Sequence, residues 1–409
     1  MSGCSSRSSS KCLVWCALLL SAAFPFGNAN AVNFHVLHRF KGYMHNDGAH
    51  PWGGLIEDKN GNLFGTTTDD GKGQGAGGTV FRVAPDGTET ISYTFSGRDY
   101  PNGTGPMGIL LADKSGNLFG TTYEGGSSYQ GVVYKLAPDG TESVLHSFGN
   151  GTDGSRPQAG LVADVEGNLY GDTPYGGGTT GCFGDGCGTA FKLAPDGTET
   201  ILHAFAGGSD GAEPNGSLIM EAAGNLYGAT SQGGGTACGG SGCGTIFRLA
   251  PDGTETILYT FTGAQDGSDP AGPLVLDERG NLYGTTSSTA FKLTPGGTLK
   301  VLHTFEYGHD GGQPAGGLVR DGAGNLYGTT LFGGGGSTGC GNGCGTIFEL
   351  TPKGTEIILH AFKGLKGGWE PVVGVTLDRK GRIFGTTLRG GTCGYRCLGG
   401  GTVFEFETR

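Results

Sequence analysis

Short apolar and β-branched runs, each bounded by turn residues, follow one another along the chain, and four such phrases return in a fixed order. Gly-Asn-Leu-(Tyr/Phe)-Gly begins at Gly61, Gly116, Gly167, Gly224, Gly280 and Gly324, with a variant, Gly-Arg-Ile-Phe-Gly, at Gly381. The steps are 55, 51, 57, 56, 44 and 57 residues. A phrase of the type Gly-Thr-Val-Phe-Arg-Val begins at Gly78, Gly131, Gly188, Gly244, Ser288, Gly345 and Gly401. One of the type Val-Leu-His-Ser-Phe ends at Phe40, Phe95, Phe148, Phe205, Phe261, Phe305 and Phe362. One of the type Gly-Leu-Val-Ala-Asp ends at Asp58, Asp113, Asp164, Glu221, Asp277, Asp321 and Asp378.

These lengths and residue types predict strands, and no segment sustains a helical period. Asp-x-x-Gly-Asn and Ala-Pro-Asp-Gly-Thr-Glu supply the hairpin turns, with Gly at the left-handed position and Pro presetting φ. Each unit is then a four-stranded antiparallel sheet, a-b-c-d. Seven units predict an all-β fold, a seven-bladed β-propeller. The expected blades are 53–95, 108–148, 160–205, 217–261, 273–305, 317–362, and 374–408 with 34–40. A linear β-solenoid is the alternative, but its coils are shorter than this period. The offset favours a ring. A lone d strand comes first, at Phe34 to Phe40, and the last phrase is a c strand from Gly401, so the first strand completes the last blade and removes two sheet edges.

Composition agrees with a repeat. The 88 glycines and 17 prolines make up about a quarter of 409 residues, while charged residues are only 15%. Residues 1–31 read as a secretory signal: Arg7 and Lys11, an apolar run from Leu13 to Phe24, and Ala29-Asn30-Ala31 at the cleavage position. An uncleaved N-terminal anchor is the other reading of that run. The remaining chain has 24 basic and 37 acidic residues, a balance that disfavours nucleic acid or an anionic membrane as partner. No membrane span is expected after cleavage, and the expected state is a secreted or periplasmic monomer. Eight cysteines outside the signal form four close pairs, Cys182/Cys187, Cys238/Cys243, Cys340/Cys344 and Cys393/Cys397, which read as local disulfides of an exported chain. Zinc held by two pairs is the rival reading.

The phrases Gly-Asn-Leu-Tyr-Gly-Thr-Thr, Gly-Thr-Ile-Phe-Arg-Leu-Ala-Pro-Asp-Gly-Thr-Glu and Ile-Leu-His-Ala-Phe resemble the GloVer (Gloeo/Verruco-type) tandem-repeat family over nearly all of residues 34–408. The resemblance implies an exported bacterial protein. That family carries C-terminal anchors of several kinds; no such anchor is recognisable here, which implies a released form. More weakly, the strand order is similar to NHL and gluconolactonase-type propellers, an analogy of fold.

All irregular loops, and every cysteine pair, fall on the face made by the b–c loops and the d-to-a crossings, so the binding site is expected there, at the mouth of the channel. The proposed ligand residues are those where the repeat breaks: Trp52, Trp369, Asp69, Asp70, Tyr100, Tyr123, Tyr129 and Tyr395. Aromatic platforms beside carboxylates suit a glycan; a protein ligand is equally compatible. The enzyme alternative, a metal-assisted lyase or hydrolase of the gluconolactonase type, would draw on His45, Asp47, His50, His309 and Asp310. No catalytic residue, metal or cofactor is assigned, because nucleophile-elbow and His-Glu-x-x-His patterns are missing. The strand-d histidines (His38, His146, His203, His303, His360) are read as blade features that cannot converge on one another. The strand-c bases (Arg82, Lys135, Lys192, Arg248, Lys292) are expected to face acids on strand d.

Overall fold

The computed structural model describes residues 34–42, 45–71, 77–97, 101–149, 151–182, 184–335, 340–391 and 399–408. The signal segment, Tyr100, Cys393, Tyr395 and Cys397 lie outside the described residues.

Seven antiparallel sheets follow one another, and each joins four strands in the order a-b-c-d. The protein is a seven-bladed β-propeller. In blade 1 these strands are Ala49–Pro51 with Ile56–Glu57 (a), Leu63–Asp69 (b), Thr79–Val83 (c) and Glu89–Thr94 (d). Blade 7 is assembled from both ends of the described chain: Phe34–Arg39 pairs with Thr402–Glu407, Phe34 opposite Phe406 and Arg39 opposite Thr402.

The core lies between blades. The Phe that ends strand d of one blade packs on the strand-c aromatic of the next, at all seven junctions. The pairs are Phe40–Phe81, Phe95–Tyr134, Phe148–Phe191, Phe205–Phe247, Phe261–Phe291, Phe305–Phe348 and Phe362–Phe404, with centroids 5.0–5.4 Å apart. Such pairs contribute roughly 0.5–1.5 kcal/mol each beyond area burial. The recurrent strand-b glycine makes room for this belt. Gly65 lies opposite Phe81, and a Cβ there would sit 2.6 Å from the Phe81 ring.

Strand a is broken. Pro51 pairs with Thr67 and Ile56 with Phe64, so strand a carries two more residues than strand b over the same stretch. The same bulge lies between Ala315 and Val319 in blade 6. The bulges project toward the axis and meet their neighbours backbone to backbone. A Cβ on Gly316 would lie 2.0 Å from the Gly374 nitrogen, and one on Gly272 would lie 2.3 Å from the Gly316 carbonyl carbon. In three blades the first Thr of the Gly-Thr-Thr phrase links blade to blade: Thr121 Oγ1 donates to the Ala159 carbonyl at 2.9 Å, Thr285 to Gly316 at 3.1 Å and Thr329 to Val373 at 2.8 Å. Thr376 of blade 7 donates to the Leu55 carbonyl of blade 1, closing the ring on its inner side as the terminal strand does on its outer side.

One expectation about side chains is corrected. The strand-c bases do not face acids on strand d. Lys192 and Lys292 lie over the strand-b rings of Tyr170 and Tyr283, at 5.8 and 5.4 Å, and Arg248 donates to Thr256. The register decides this, because Arg82 stands opposite Phe64 on one side and Thr90 on the other.

Candidate functional site

The strand-a bulges line a cavity of about 910 Å³ on the propeller axis. In six of the seven blades the residue after the recurrent proline forms one rim: Trp52, Met107, Gln158, Asn215, Ala271 and Val372 all line it. Deeper in come Ile109, Gly160, Ser217, Pro273, Gly317 and Gly374. The Trp52 indole, aliphatic groups, glycine backbone and three uncharged polar side chains therefore make up this part of the wall.

Charge enters the lining only where strand a reaches its turn, at Glu57, Arg320, Asp378 and Arg379. There the degenerate seventh repeat has a physical account. Arg382, in place of the usual Asn, donates to Asp378 and Glu405, each at 2.7 Å, and stands 3.7 Å from Glu57 of blade 1. Burial, and then the neighbouring Asp378, push the Glu57 carboxyl above its usual range. This end of the lining is charged and ion-paired, and the Trp52 end of the lining is neutral.

The rim at Trp52 belongs to the face of b–c loops and crossings, and its construction is uniform. The residue before each of the seven prolines has positive φ: His50, Gly105, Arg156, Glu213, Asp269, Gln313 and Glu370, at +52° to +66°. Six of them are not glycine, and each of these holds a conformation that costs L-residues on the order of 1 kcal/mol. The turn directs the amide N–H at the preceding blade's b–c loop. His50 donates to Gly400, Arg156 to Gln130, Glu213 to Cys187, Asp269 to Cys243 and Glu370 to Cys344, at 2.7–3.2 Å. Three of these acceptors are disulfide cysteines. The bridges Cys182–Cys187, Cys238–Cys243 and Cys340–Cys344 are formed as expected, each within one b–c loop. They therefore brace the loops that hold the crossings in place.

The side chains on this rim contact the ends of the b strands. His50 Nδ1 lies 2.5 Å from Asp69 Oδ2, the Arg156 guanidinium lies over the Tyr123 ring at 5.6 Å, and Glu370 binds Arg389 at 2.9 Å. Burial raises the Glu213 and Asp269 carboxyls above their ordinary values.

The structure separates the residues named from the sequence. Trp52 is 38% exposed and lines the cavity. Trp369 does not line it. It sits two residues before its proline rather than one after, exchanges two backbone hydrogen bonds with Arg389, and packs on the cluster that holds Cys340, Cys344 and Phe362. The Arg389 guanidinium covers its ring at 5.3 Å. Asp69 is engaged by His50, and Asp70 is buried beside it. Tyr123 is half-buried under Arg156, whereas Tyr129 is exposed with φ of +59°. Of the residues named for the enzyme alternative, His45, Asp47, His50, His309 and Asp310, none lines the axial cavity. Sequence reasoning missed the neutral rim residues Met107, Gln158 and Asn215, which aligning the repeats on their prolines would have found.

A family model described as the Gloeobacter/Verrucomicrobia repeat matches residues 26–184, 175–340 and 239–409. The chain belongs to this family. No curated protein sequence is detectably similar to it. Among solved structures, a streptogramin B lyase superposes with a TM-score of 0.58 at 13% identity, over 92% of this chain and 98% of that one. A gluconolactonase from Xanthomonas campestris gives 0.43 at 16% identity, over 73% and 86%, and a luciferin-regenerating enzyme gives 0.45 at 13%, over 92% and 95%. At these identities the likeness is one of fold. No helix among the described residues is long and apolar enough to cross a membrane.

Proposed function

We propose that this repeat protein is an exported, non-catalytic binding module that takes a neutral glycan at the Trp52 mouth of the axial cavity. The observation that carries the reading is the lining itself. The Trp52 indole and the polar side chains of Gln158, Asn215 and Ser217 line one cavity whose wall at this end is otherwise of aliphatic groups and glycine backbone. Sugar rings present apolar C–H faces and hydroxyls together, and an aromatic plane with amide donors and acceptors complements both. Of the charged side chains near this mouth, His50 is engaged with Asp69 and Glu370 with Arg389.

Against a lyase or lactonase of the neighbouring fold types, the lining among the described residues has no imidazole or thiol, and its carboxylates lie at the ion-paired end. A general acid or base must come within hydrogen-bond reach of the reacting group. Export accords with the disulfides.

Isothermal titration with neutral oligosaccharides tests the proposal. Saturable binding that Trp52→Ala weakens at least tenfold, with the melting temperature unchanged, supports it. Turnover of any sugar or lactone, or binding indifferent to Trp52→Ala, contradicts it.

A further inference from the structure

The strand-d histidines do not meet one another, but three of them meet two carboxylates each. His146 of blade 2 faces Asp153, in the crossing to blade 3, and Glu199, which opens strand d of blade 3. His203, Asp210 and Glu255 repeat this between blades 3 and 4, and His303, Asp310 and Glu356 between blades 5 and 6. In each set, one donor atom from every residue falls within 4.8 Å of the other two.

The distances bear on what the sets hold. The His Nε2 to Asp oxygen separations are 3.1, 3.2 and 3.3 Å, and the His Nε2 to Glu oxygen separations are 3.7, 3.6 and 3.7 Å. The longer ones exceed a hydrogen bond. A metal ion with ligands at about 2.0–2.2 Å in tetrahedral array separates its donors by roughly 3.3–3.6 Å, close to what is found. The Glu255 and Glu356 side chains are only 10% exposed, and each keeps a buried Oε1 without a hydrogen bond. A cation bound among two half-buried carboxylates and an imidazole would offset the cost of burying them.

Of the other four junctions, the one between blades 7 and 1 has His38, Asp47 and Glu89 in the same places, but their donor atoms do not close to the distances of the three sets, and Asp47 accepts from the Lys41 amide. The remaining three show the alternative to a complete donor set. Between blades 1 and 2 the residues are Tyr93, Asn102 and Glu142, a closed hydrogen-bond network in which Asn102 donates to both others, at 2.8 and 2.9 Å. Between blades 4 and 5 Tyr259 donates to Asp266 at 3.1 Å, and Leu299 takes the Glu place. Between blades 6 and 7 His360 stacks on Phe34, which stands in the Glu place. Where Tyr replaces His, a second donor of the set is replaced as well.

We infer that the chain binds three divalent transition-metal ions of the zinc type, each joining adjacent blades at the outer rim. Imidazole nitrogen with two carboxylate oxygens suits zinc better than calcium, which takes six to eight oxygens. Each site offers three protein ligands, and the partial exposure of the histidines leaves the fourth position to water.

Native mass spectrometry and calorimetric titration of the mature chain with Zn2+ at neutral pH should give three equivalents, with Ca2+ failing to compete. The double variant H203Y/D210N installs the arrangement that the chain already folds with at Tyr93 and Asn102, and it should bind two. E255Q offers a second route to the same loss. Adding H146Y/D153N and H303Y/D310N should abolish binding. Fewer than three equivalents in the unmodified chain, counts undiminished in these variants, or Ca2+ binding in place of Zn2+ would overturn the inference.

Discussion

The ring of Phe34 lies flat on the imidazole of His360, centroids 3.8 Å apart and planes 7° from parallel, joining the first strand of the described chain to the outer strand of blade 6. Phe34 also touches Phe362 and Phe404, so one residue ties the closing strand to both blades of its junction. Burial, with Lys363 adding to it, pushes His360 down to about 4.

The closing strand should therefore be a condition of cooperative folding. Deletion of residues 34–40 exposes the strand-c edge at Thr402–Glu407 and should abolish a single sharp thermal transition. Phe34→Ala should cost about 2–3 kcal/mol, as a partly buried aromatic deletion does. A truncated chain that melts like the full one would refute the closure.

The depressed His360 fixes the sign of one pH effect. Its folded pKa lies below the ordinary 6.5, so the stability it contributes is complete above 6.5 and is lost as pH falls toward 4. A tenfold change in proton affinity between the folded and unfolded chain corresponds to about 1.4 kcal/mol. Urea titrations at pH 7 and pH 4.5 should show His360→Phe losing less stability on acidification than the parent. Equal losses would contradict the assignment.

Asp172 acts in the opposite direction. It occupies the place where Thr121 and Thr329 donate to the next blade, is 2% exposed, and leaves Oδ1 without a partner. Burial raises it to about 7. Its folded pKa exceeds the unfolded one, so it costs stability progressively as pH rises from about 4 to 7, and fully above that. Asp172→Thr should stabilise the protein above pH 7 by on the order of 2–4 kcal/mol and by little at pH 4. A variant no more stable at pH 8 would show that the carboxylate has found a partner.

The disulfides brace loops that receive crossing N–H groups at Cys187, Cys243 and Cys344. Non-reducing mass spectrometry should find the mature chain eight hydrogens lighter than its reduced form, the fourth bridge being Cys393–Cys397, a pair expected from the sequence. Replacing Cys182 and Cys187 by Ala should cost about 2 kcal/mol for so short a loop. Free thiols or links between blades would contradict local pairing.

Much of this architecture was legible because each strand phrase carries its own turn, and the circular offset of Phe34–Arg39 against Thr402–Glu407 forces a ring. The three bridges described were legible from the paired cysteines in short loops of a chain read as exported, with zinc as the rival reading. What strand alternation could not reveal is the two-residue bulge in strand a, which brings Met107, Gln158 and Asn215 to the axis and leaves Trp369 outside it. Nor could it reveal contacts made between blades. His203 meets Glu255 only because strand d of one blade lies beside strand d of the next, 52 residues on. The left-handed residues before proline were equally hidden, because Pro disfavours helical backbone before it and gives no hint of a positive φ.

Trp52 and Trp369 are the only tryptophans after the expected signal, and their different surroundings allow a direct test of the binding proposal. In a Trp369→Phe background, all indole emission from the mature chain reports on the cavity mouth. Titration with neutral oligosaccharides should shift and saturate that emission, with the same affinity read by calorimetry. An emission unmoved by a sugar that calorimetry shows to bind would place the ligand elsewhere and contradict the Trp52 mouth as the site.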